Sequence, residues 1–460
     1  MLFDKTVILA FVLALALAFA GCGGNGGNDQ GGRGDDDSVG DDDTSGDDDV
    51  TDDDAADDDA VDDDSIDDDL IDDDAVDDDA VDDDTVDDDT VDDDTVDDDT
   101  VDDDTVDDDS IDDDTTPIDC NAVITRQPYL QSVTQTGITV MWGTDIPGDS
   151  TVEYGLTDAL GQTVYLADQQ IVHLVELTGL EPQTTYYYKA TSCHDETTVA
   201  SFRTAPLRDT PFNFTAFSDN HCHAEIFGPF VDMMIGFDPD FAISVGDTVD
   251  DGRDPTQYDP CFFTPAQELF RSAPVYVAFG NHEHFSLTYY GLFSFPGGNN
   301  AHFSFTYGNT FFLGLDADVP YIPGLPWYKW LVDQLSSPEA QNAEFRVMFF
   351  HQPPYTEGWP GYDGDWVVRL FILPLMKQYH VDVYFNGHTH DYERGWDGTI
   401  ANYIIGGAGG DLDVWARDVA WDLFYASEYH FLHVSVDGAT MTLDAIDQTG
   451  QVFDSYQIVH

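Results

Sequence analysis

The sequence predicts an α/β domain over residues 209–460, preceded by a smaller all-β domain over residues 119–206. From about Asp209 onward, short apolar runs rich in valine, isoleucine and aromatic residues alternate with helical stretches, as buried strands and helices of an α/β fold do. Before Ala205, short segments of alternating polarity are separated by turn residues, which is typical of a β-sandwich. The two patterns place a domain boundary near Ala205-Pro206.

Five of the apolar runs in the α/β domain end at a polar motif. The runs are Phe212 to Phe217, Phe241 to Val245, Val275 to Phe279, Arg346 to Phe350 and Val381 to Phe385. The motifs that follow them are Asp219-Asn220-His221, Gly246-Asp247-Thr248-Val249-Asp250, Gly280-Asn281-His282-Glu283, His351-Gln352-Pro353-Pro354 and Gly387-His388-Thr389-His390. Because ligands bind at the carboxyl ends of the strands in an open α/β sheet, we expect these side chains to lie in one crevice.

The residue types in the motifs are those of a metal site. They are aspartate, histidine and asparagine without cysteine, a set that suits zinc, manganese or iron. Taken singly, Asp247, Asn281 and His351 could each be explained by turn chemistry or by a strand end. Five strand ends that all carry ligand-type residues have no comparable structural explanation, so the sequence predicts a metal centre.

The other elements are predicted from the same patterns. Helices are expected over Pro229–Ile235, Pro265–Arg271 and Trp366–Tyr379, and sandwich strands over Gly137–Trp142 and Tyr186–Thr191. Trp142 is assigned to the sandwich core rather than to ligand contact. A strand over Ala401–Ile405 runs into the glycine-rich turn of residues 406–410, which could cradle a phosphate.

The motif set resembles that of calcineurin-like metallophosphoesterases, and more closely that of purple acid phosphatases. The last motif continues into Tyr392-Glu393-Arg394, as it does in purple acid phosphatases. Residues 303–309 resemble that family's central hairpin, and Trp327 to Leu335 resembles the helix that follows it. The resemblance covers about residues 120–460. It implies an αββα sandwich of two mixed sheets flanked by helices, with the glycine-rich turn supporting the site.

The resemblance also implies two metal sites that share Asp247. The first would comprise Asp219, His221, Asp247 and His390, and the second Asp247, Asn281, His351 and His388. The implied cofactors are two divalent or trivalent ions of iron, zinc or manganese. The implied activity is hydrolysis of phosphate monoesters by in-line attack of a metal-bridging hydroxide. His282 resembles the family's proton donor to the leaving group, and the alternative is a histidine packed beneath the turn.

The chain departs from purple acid phosphatases at three places. In that family a tyrosine three residues after the bridging aspartate binds ferric iron, whereas this chain has Asp250. The family's first motif lacks a histidine at the position of His221. Trp359, Pro360 and Gly361 occupy the stretch where the family has substrate-facing histidines. The preference for monoesters is therefore open, and phosphodiesterase activity on small diesters is an alternative.

The amino-terminal residues have the pattern of an export signal. The segment from Val7 to Ala20 is apolar for 14 residues, which is too short to span a bilayer, and it indicates a signal peptide over residues 1–21. Phe19 to Cys22 resembles a bacterial lipobox, which would place a lipid on Cys22, and ordinary cleavage after Ala20 is the alternative. We expect an outer-membrane or cell-surface lipoprotein, or otherwise a secreted or periplasmic protein.

Residues 22–118 contain an acidic repeat. Triplets of aspartate recur every five residues from Asp52 to Asp114, and the 16 triplets that begin at Asp35 hold 48 of the 94 acidic residues. A period of five matches neither a helix nor a strand, and like charges repel, so we predict a disordered linker. The alternative is weak calcium or mineral binding by the tract, as the working part of a non-catalytic surface protein.

The remainder of the chain is also acidic. Residues 115–460 hold 44 acidic residues and 12 lysines or arginines, a formal charge of −32. Contacts with nucleic acid or anionic membranes normally need clusters of lysine and arginine, so neither partner is expected. The expected partner is a small phosphate ester, with membrane association only through a lipid on Cys22.

Two further expectations concern the all-β domain and the cysteines. Leu180 to Tyr186 resembles a fibronectin type III signature, with Tyr186 as the candidate for the tyrosine corner. Four cysteines remain besides Cys22, and an exported chain favours their pairing. Of the three connectivities, we expect Cys120–Cys193 and Cys222–Cys261. The alternative for Cys222, which adjoins His221, is a role as a metal ligand.

Overall fold

A computed structural model describes residues 120–297, 300–316, 318–358, 361–396, 398–414 and 422–460. The predicted signal peptide, the lipid site at Cys22 and the acidic linker lie outside the described residues, as do Trp359 and Pro360. Within the described ranges, no helix is both long and apolar enough to cross a bilayer.

The first domain is built from six antiparallel strands. They are β1 (Ile124–Gln131), β2 (Gly137–Gly155), β3 (Gln162–Thr178), β4 (Thr185–Ser192), β5 (Asp195–Glu196) and β6 (Ala200–Arg203). The first half of β2 pairs with β1 and β3, and its second half pairs with β3 and β4. The register with β3 shifts between Gly143 and Ser150, where the strand passes from one set of partners to the other.

Trp142 lies in the core of this domain, as predicted. Its ring stacks on His173 with 4.7 Å between the ring centroids, and its indole donates a hydrogen bond to Ser192 Oγ at 2.9 Å. Burial lowers the pKa of His173 to about 4, so the stacked ring is neutral near pH 7. The Tyr186 hydroxyl accepts a hydrogen bond from the Glu181 backbone N–H at 3.0 Å, a contact of the tyrosine-corner type. The fibronectin type III assignment itself stays a prediction.

Both predicted disulfides are present. Cys120 pairs with Cys193 at a Cα–Cα distance of 5.2 Å, and Cys222 pairs with Cys261 at 4.4 Å. A sulfur in a disulfide is not available as a thiolate ligand. The alternative role of Cys222 as a metal ligand is therefore wrong.

Two mixed sheets form the second domain. Sheet I has the order β19-β18-β17-β7-β8-β9 and contains β7 (Phe212–Phe217), β8 (Phe241–Ser244), β9 (Val275–Val277), β17 (His430–Asp437), β18 (Thr440–Asp447) and β19 (Val452–Val459). Strands β7, β8 and β9 are parallel, and the other pairings in this sheet are antiparallel.

Sheet II has the order β10-β11-β12-β13-β15-β14-β16. Its strands are β10 (His302–Tyr307), β11 (Thr310–Leu315), β12 (Phe345–Phe350), β13 (Val383–Asn386), β14 (Tyr392–Trp396), β15 (Ala401–Ile405) and β16 (Asp422–Ala426). Strands β11, β12, β13 and β15 are parallel, whereas β10 and β11 form the expected antiparallel hairpin.

Helices connect the strands close to the predicted places. They are α1 (Ala224–Ile235), α2 (Thr264–Phe270), α3 (Leu287–Leu292), α4 (Pro326–Leu335), α5 (Pro338–Asn342) and α6 (Leu373–Gln378). Wider π-type turns over Asp259–Phe263 and Val368–Ile372 lead directly into α2 and α6. Helix α1 begins at Ala224 rather than at the predicted Pro229, which lies inside the helix. A proline inside a helix removes one backbone hydrogen bond, so the sequence pattern places it at the helix start.

The core lies between the two sheets and beneath the helices. Phe214 and Phe241 of sheet I contact Phe312 of sheet II edge-on, with ring centroids 5.5 and 5.4 Å apart. On the outer face of sheet I, Phe227 of α1 packs on Phe217 at 5.0 Å. On the outer face of sheet II, Leu331 of α4 belongs to a second apolar cluster with residues of β11 and β12. Each buried phenylalanine contributes about 1.5–3 kcal/mol. This arrangement is the αββα sandwich that the sequence predicts.

Candidate metal centre

The five polar motifs meet at one edge of the second domain. Three of them follow β7, β8 and β9 of sheet I, and two follow β12 and β13 of sheet II. The described structure brings together all seven side chains predicted as ligands. Six of them belong to three overlapping groups of potential ligand atoms, and the seventh, Asn281, contacts His351 through its amide oxygen. The seven are Asp219, His221, Asp247, Asn281, His351, His388 and His390.

The first group consists of Asp219, His221 and His390. Their ligand atoms all lie within 4.8 Å of one another, and the Nε2 atoms of the two histidines are 3.2 Å apart. His390 Nδ1 donates to the Asp411 carbonyl at 2.9 Å, and His221 Nδ1 lies 3.3 Å from Asp250 Oδ1. In a neutral ring the hydrogen bond to Asp411 leaves the lone pair of His390 on Nε2, and a proton on Nδ1 beside Asp250 would do the same for His221. Two rings in these tautomers could not hydrogen-bond each other through Nε2, so a cation shared by the two nitrogens would satisfy both.

The second group consists of Asp247, His351 and His388. His351 Nε2 lies 3.0 Å from Asp247 Oδ2 and 3.1 Å from Asn281 Oδ1, which adds the predicted amide ligand to the group. His351 Nδ1 donates to the Val245 carbonyl at 3.0 Å and thereby turns Nε2 toward the site. Burial lowers the pKa of His388 to about 3, which keeps that ring neutral and able to bind a metal.

Asp247 belongs to the second group and also to a third group with His221 and His282. Asp219 likewise lies near histidines of both the first and the second group, since its Oδ1 is 3.6 Å from His390 Nε2 and 3.9 Å from His351 Nε2. Two buried carboxylates thus stand between two sets of imidazoles. This donor set, all nitrogen and oxygen, fits two adjacent cations of the kind that aspartate and histidine bind.

His282 lies beside the first group. Its ring centroid is 4.7 Å from that of His221, and the ring is partly exposed rather than packed beneath the turn. Its Nδ1 donates to the Asp250 carbonyl at 2.7 Å, and its backbone N–H donates to Asp247 Oδ1 at 2.8 Å. Nε2 is therefore the nitrogen that a bound molecule can meet.

The buried ionisable groups of the site shift one another's pKa values. Burial lowers the pKa of His351, but the adjacent Asp247 and Asp219 carboxylates outweigh burial and raise it to about 10. Burial raises the pKa of Asp219 to about 6. For Asp247, burial acts upward, but the contact with His351 outweighs it and lowers the pKa. A cation bound between these carboxylates would displace the proton that the raised pKa of His351 favours there.

The backbone at the site is strained. Asp219, His221, Asp247 and His388 have φ values of 57°, 45°, 50° and 75°, in the left-handed region that non-glycine residues rarely adopt. Such residues cost about 1–3 kcal/mol each and cluster at functional sites. The Asp219 carboxylate offsets part of this cost by accepting the His388 backbone N–H at 3.0 Å.

Glu283 is a supporting residue to which the sequence alone gives no role. Its fully buried carboxylate accepts hydrogen bonds from the backbone N–H groups of Asp247, Thr248 and Gly280 at 3.0, 2.8 and 2.7 Å. It therefore joins the turn after β8 to the turn after β9. Burial, followed by repulsion from Asp247, raises the pKa of Glu283 to about 7. Its place in the Asn281-His282-Glu283 turn was the available signal.

The glycine-rich turn of residues 406–410 lies against the first group. A Cβ atom on Gly410 would lie 2.5 Å from His390 Cε1 and 2.9 Å from His221 Cδ2, so a side chain there would displace both rings. This position agrees with a supporting role for the turn rather than with a phosphate cradle.

Carboxylates also surround the site. Asp413 Oδ2 accepts the His390 backbone N–H at 2.9 Å, and Asp318 Oδ1 accepts a hydrogen bond from Gln352 Nε2 at 2.5 Å, next to His351. Asp250 faces His221 from a third side. We define these three aspartates as the acidic rim. Sequence reasoning singled out only Asp250 among them, because the other two lie on loops without a motif.

Comparison with known proteins identifies the class to which this site belongs. Residues 212–392 match the family model of the calcineurin-like phosphoesterases, and residues 125–204 match that of the purple acid phosphatase N-terminal domain. The chain therefore carries a calcineurin-like metallophosphoesterase domain behind a purple acid phosphatase N-terminal domain.

Among individual proteins, the chain is similar to two purple acid phosphatases of Arabidopsis thaliana. It is 29% identical to purple acid phosphatase 23 over 300 residues, which are 56% of this chain and 64% of that protein. It is 25% identical to purple acid phosphatase 15 over 302 residues, 55% of this chain and 56% of that protein. The match thus spans less than two thirds of either relative.

A solved structure shows the same fold. The purple acid phosphatase isolated from yellow lupin (Lupinus luteus) seeds superimposes with a TM-score of 0.66 and 19% sequence identity, covering 73% of this chain and 75% of that one.

Proposed function

We propose that this protein is a dinuclear-metal phosphoesterase that hydrolyses phosphate monoesters. The observation that carries the proposal is the position of Asp247 between two sets of histidines, with His351 Nε2 3.0 Å from its Oδ2. Support comes from the match of residues 212–392 to the calcineurin-like phosphoesterase family.

We assign the ligands as the sequence suggested. Asp219, His221, Asp247 and His390 would hold the first cation, and Asp247, Asn281, His351 and His388 the second. Two bound cations would lower the pKa of a water molecule and neutralise the oxygens of a phosphate ester. The protein contributes fixed nitrogen lone pairs, since hydrogen bonds at Nδ1 aim the Nε2 atoms of His351 and His390 at the site.

His282 is assigned as the proton donor to the leaving group. Its Nδ1 proton is held by the Asp250 carbonyl at 2.7 Å, so in the protonated ring Nε2 carries the proton that can leave. Transfer of that proton to the departing oxygen would avoid release of an unstable alkoxide, an effect that typically accelerates a reaction by about 10²–10⁴.

A second candidate function is hydrolysis of small phosphate diesters. The acidic rim favours it, because Asp250, Asp318 and Asp413 repel a monoester dianion more strongly than a diester monoanion. The family's substrate-facing histidines, which would offset such repulsion, are absent from the stretch that contains Gly361.

The test is turnover by the purified full-length protein. It is loaded separately with zinc, manganese or iron, and rates are compared on nitrophenyl phosphate and bis(nitrophenyl) phosphate. The proposal expects higher kcat/KM on the monoester, and the diesterase candidate expects the reverse. Asp247→Asn serves as the control for contaminating phosphatases. If the protein binds two metals but hydrolyses neither ester, the non-catalytic alternative is favoured.

We also infer export with a lipid on Cys22. Two disulfides in the described residues support an oxidising compartment. Incorporation of labelled palmitate into the wild type, and none into Cys22→Ser, would support the lipid.

Weak calcium binding by the aspartate repeat is tested by equilibrium dialysis, in which the full chain is compared with a chain that lacks residues 35–114.

A further inference from the structure

Asp250 occupies an unusual position for a residue outside the ligand set. Its Oδ1 lies 3.3 Å from His221 Nδ1 and accepts the Cys222 backbone N–H, also at 3.3 Å. The Asp250 side chain is 54% exposed, whereas that of His221 is 8% exposed. A half-exposed carboxylate therefore contacts the buried ring from outside, on the side opposite the nitrogen that faces His390.

The Asp250 backbone is held independently of His221. Gln257 Oε1 accepts hydrogen bonds from the backbone N–H groups of Asp250 and Asp251 at 3.1 and 2.9 Å. The Cys222–Cys261 disulfide ties the chain after His221 to the turn that follows Gln257. The surrounding structure thus holds the backbone on both sides of the contact between the carboxylate and the imidazole.

We propose that Asp250 is a positioning residue that fixes the tautomer and the ring orientation of His221 for the first cation. A proton on His221 Nδ1, which the carboxylate 3.3 Å away attracts, leaves the lone pair on Nε2, which is the atom 3.2 Å from His390 Nε2. This inference rests on the proposed metal centre. It also explains two departures from purple acid phosphatases together. Asp250, which replaces the family's tyrosine, would orient His221, which that family lacks.

The expected effect is on metal affinity. Asp250→Ala should weaken the first site by about 10–100-fold, the usual effect of removing such a partner, and leave the second site unchanged. Asp250→Asn keeps an acceptor oxygen and should therefore keep most of the wild-type metal affinity of the first site. Asp251→Asn is the matched control, because it removes the same charge one residue away, where the carboxylate pairs with Arg253.

The experiment is a zinc titration of the metal-free full chain against a competing chelator. His221→Ala identifies which of the two binding steps belongs to the first site. Since Asp250 is proposed to act through His221, Asp250→Ala should cause no further loss in the His221→Ala background. Additive losses in the double variant, or an equal loss in Asp251→Asn, would overturn the inference.

Failure of this inference can be distinguished from failure of the proposed function. Binding of two zinc ions without any ester hydrolysis would refute the proposed function and leave the positioning role intact. Unchanged first-site affinity in Asp250→Ala, in a protein that hydrolyses esters, would refute the positioning role alone. Thermal unfolding of each variant shows whether a loss of affinity comes from loss of the fold.

Discussion

His351 Nε2 lies 3.0 Å from Asp247 Oδ2, and both side chains are almost completely buried. The imidazole and the carboxylate come from different sheets, so this contact joins the two halves of the αββα sandwich at the site. The Asp247 and Asp219 carboxylates raise the pKa of His351 to about 10, so a cation bound between the two side chains would displace a proton.

Metal affinity at the second site should therefore rise with pH. The pKa of His351 is raised to about 10 in the metal-free protein, so below that pH a cation must displace a proton, and the competition eases as pH rises. We expect affinity to increase about tenfold per unit between pH 7 and 9, the slope for one displaced proton. Calorimetry in buffers of different ionisation enthalpy measures the proton release. Affinity that does not depend on pH would contradict this account.

Asp247→Asn and His282→Ala should fail in different ways. Asp247 contacts both sets of ligands, so loss of its full charge should reduce metal content and abolish turnover together. His282→Ala should keep its metals and lose about 10²–10⁴ in rate on an alkyl phosphate. The loss should be smaller on nitrophenyl phosphate, whose leaving group hardly needs a proton. Loss of metal from His282→Ala, or equal losses on both esters, would show that the proton-donor assignment is wrong.

Glu283→Gln should destabilise the protein although it preserves shape. The carboxylate accepts three backbone N–H groups, and an amide nitrogen facing one of them would leave that donor unsatisfied. We expect a loss of about 1–3 kcal/mol in the free energy of unfolding, together with weaker metal binding through the displaced Asp247 turn. Glu225→Gln, an exposed acid on α1, is the control for loss of charge. Denaturant unfolding that does not distinguish the two variants would contradict the role assigned to Glu283.

Iron-loaded protein should lack the visible band of purple acid phosphatases. The band of that family comes from a tyrosine bound to ferric iron, and this chain has Asp250 there with its carboxylate on His221. The absorption spectrum of freshly isolated and of iron-loaded protein checks this expectation. A tyrosinate-type band would mean that another tyrosine binds the iron and that the ligand set is wrong.

The sequence predicts most of the catalytic fold because its strands carry local signals. The apolar run from Phe212 to Phe217 is β7 without any shift, and the motifs all follow strand ends as expected. In contrast, β2 extends over Gly137–Gly155, far beyond the predicted Gly137–Trp142, because its second half is stabilised by partners distant in sequence. Such a change of partners is a tertiary effect that periodicity does not show.

The ligand residues could be predicted, but the residues that hold them could not. His388 and Asp219 carry recognisable motifs, whereas their left-handed backbone conformations depend on contacts between separate turns. Glu283 and Asp413 accept hydrogen bonds from backbone N–H groups, which every residue except proline has, so the sequence does not reveal these pairings. Supporting interactions of this kind become visible only once the chain is folded.

The central claim is that this chain holds two cations on either side of Asp247. Anomalous X-ray diffraction from crystals of the zinc-loaded protein tests it most directly. We expect two peaks about 3.5–4 Å apart, one beside His221 and His390 and the other beside His351 and His388. A single peak, or two peaks that do not share Asp247, would contradict the account.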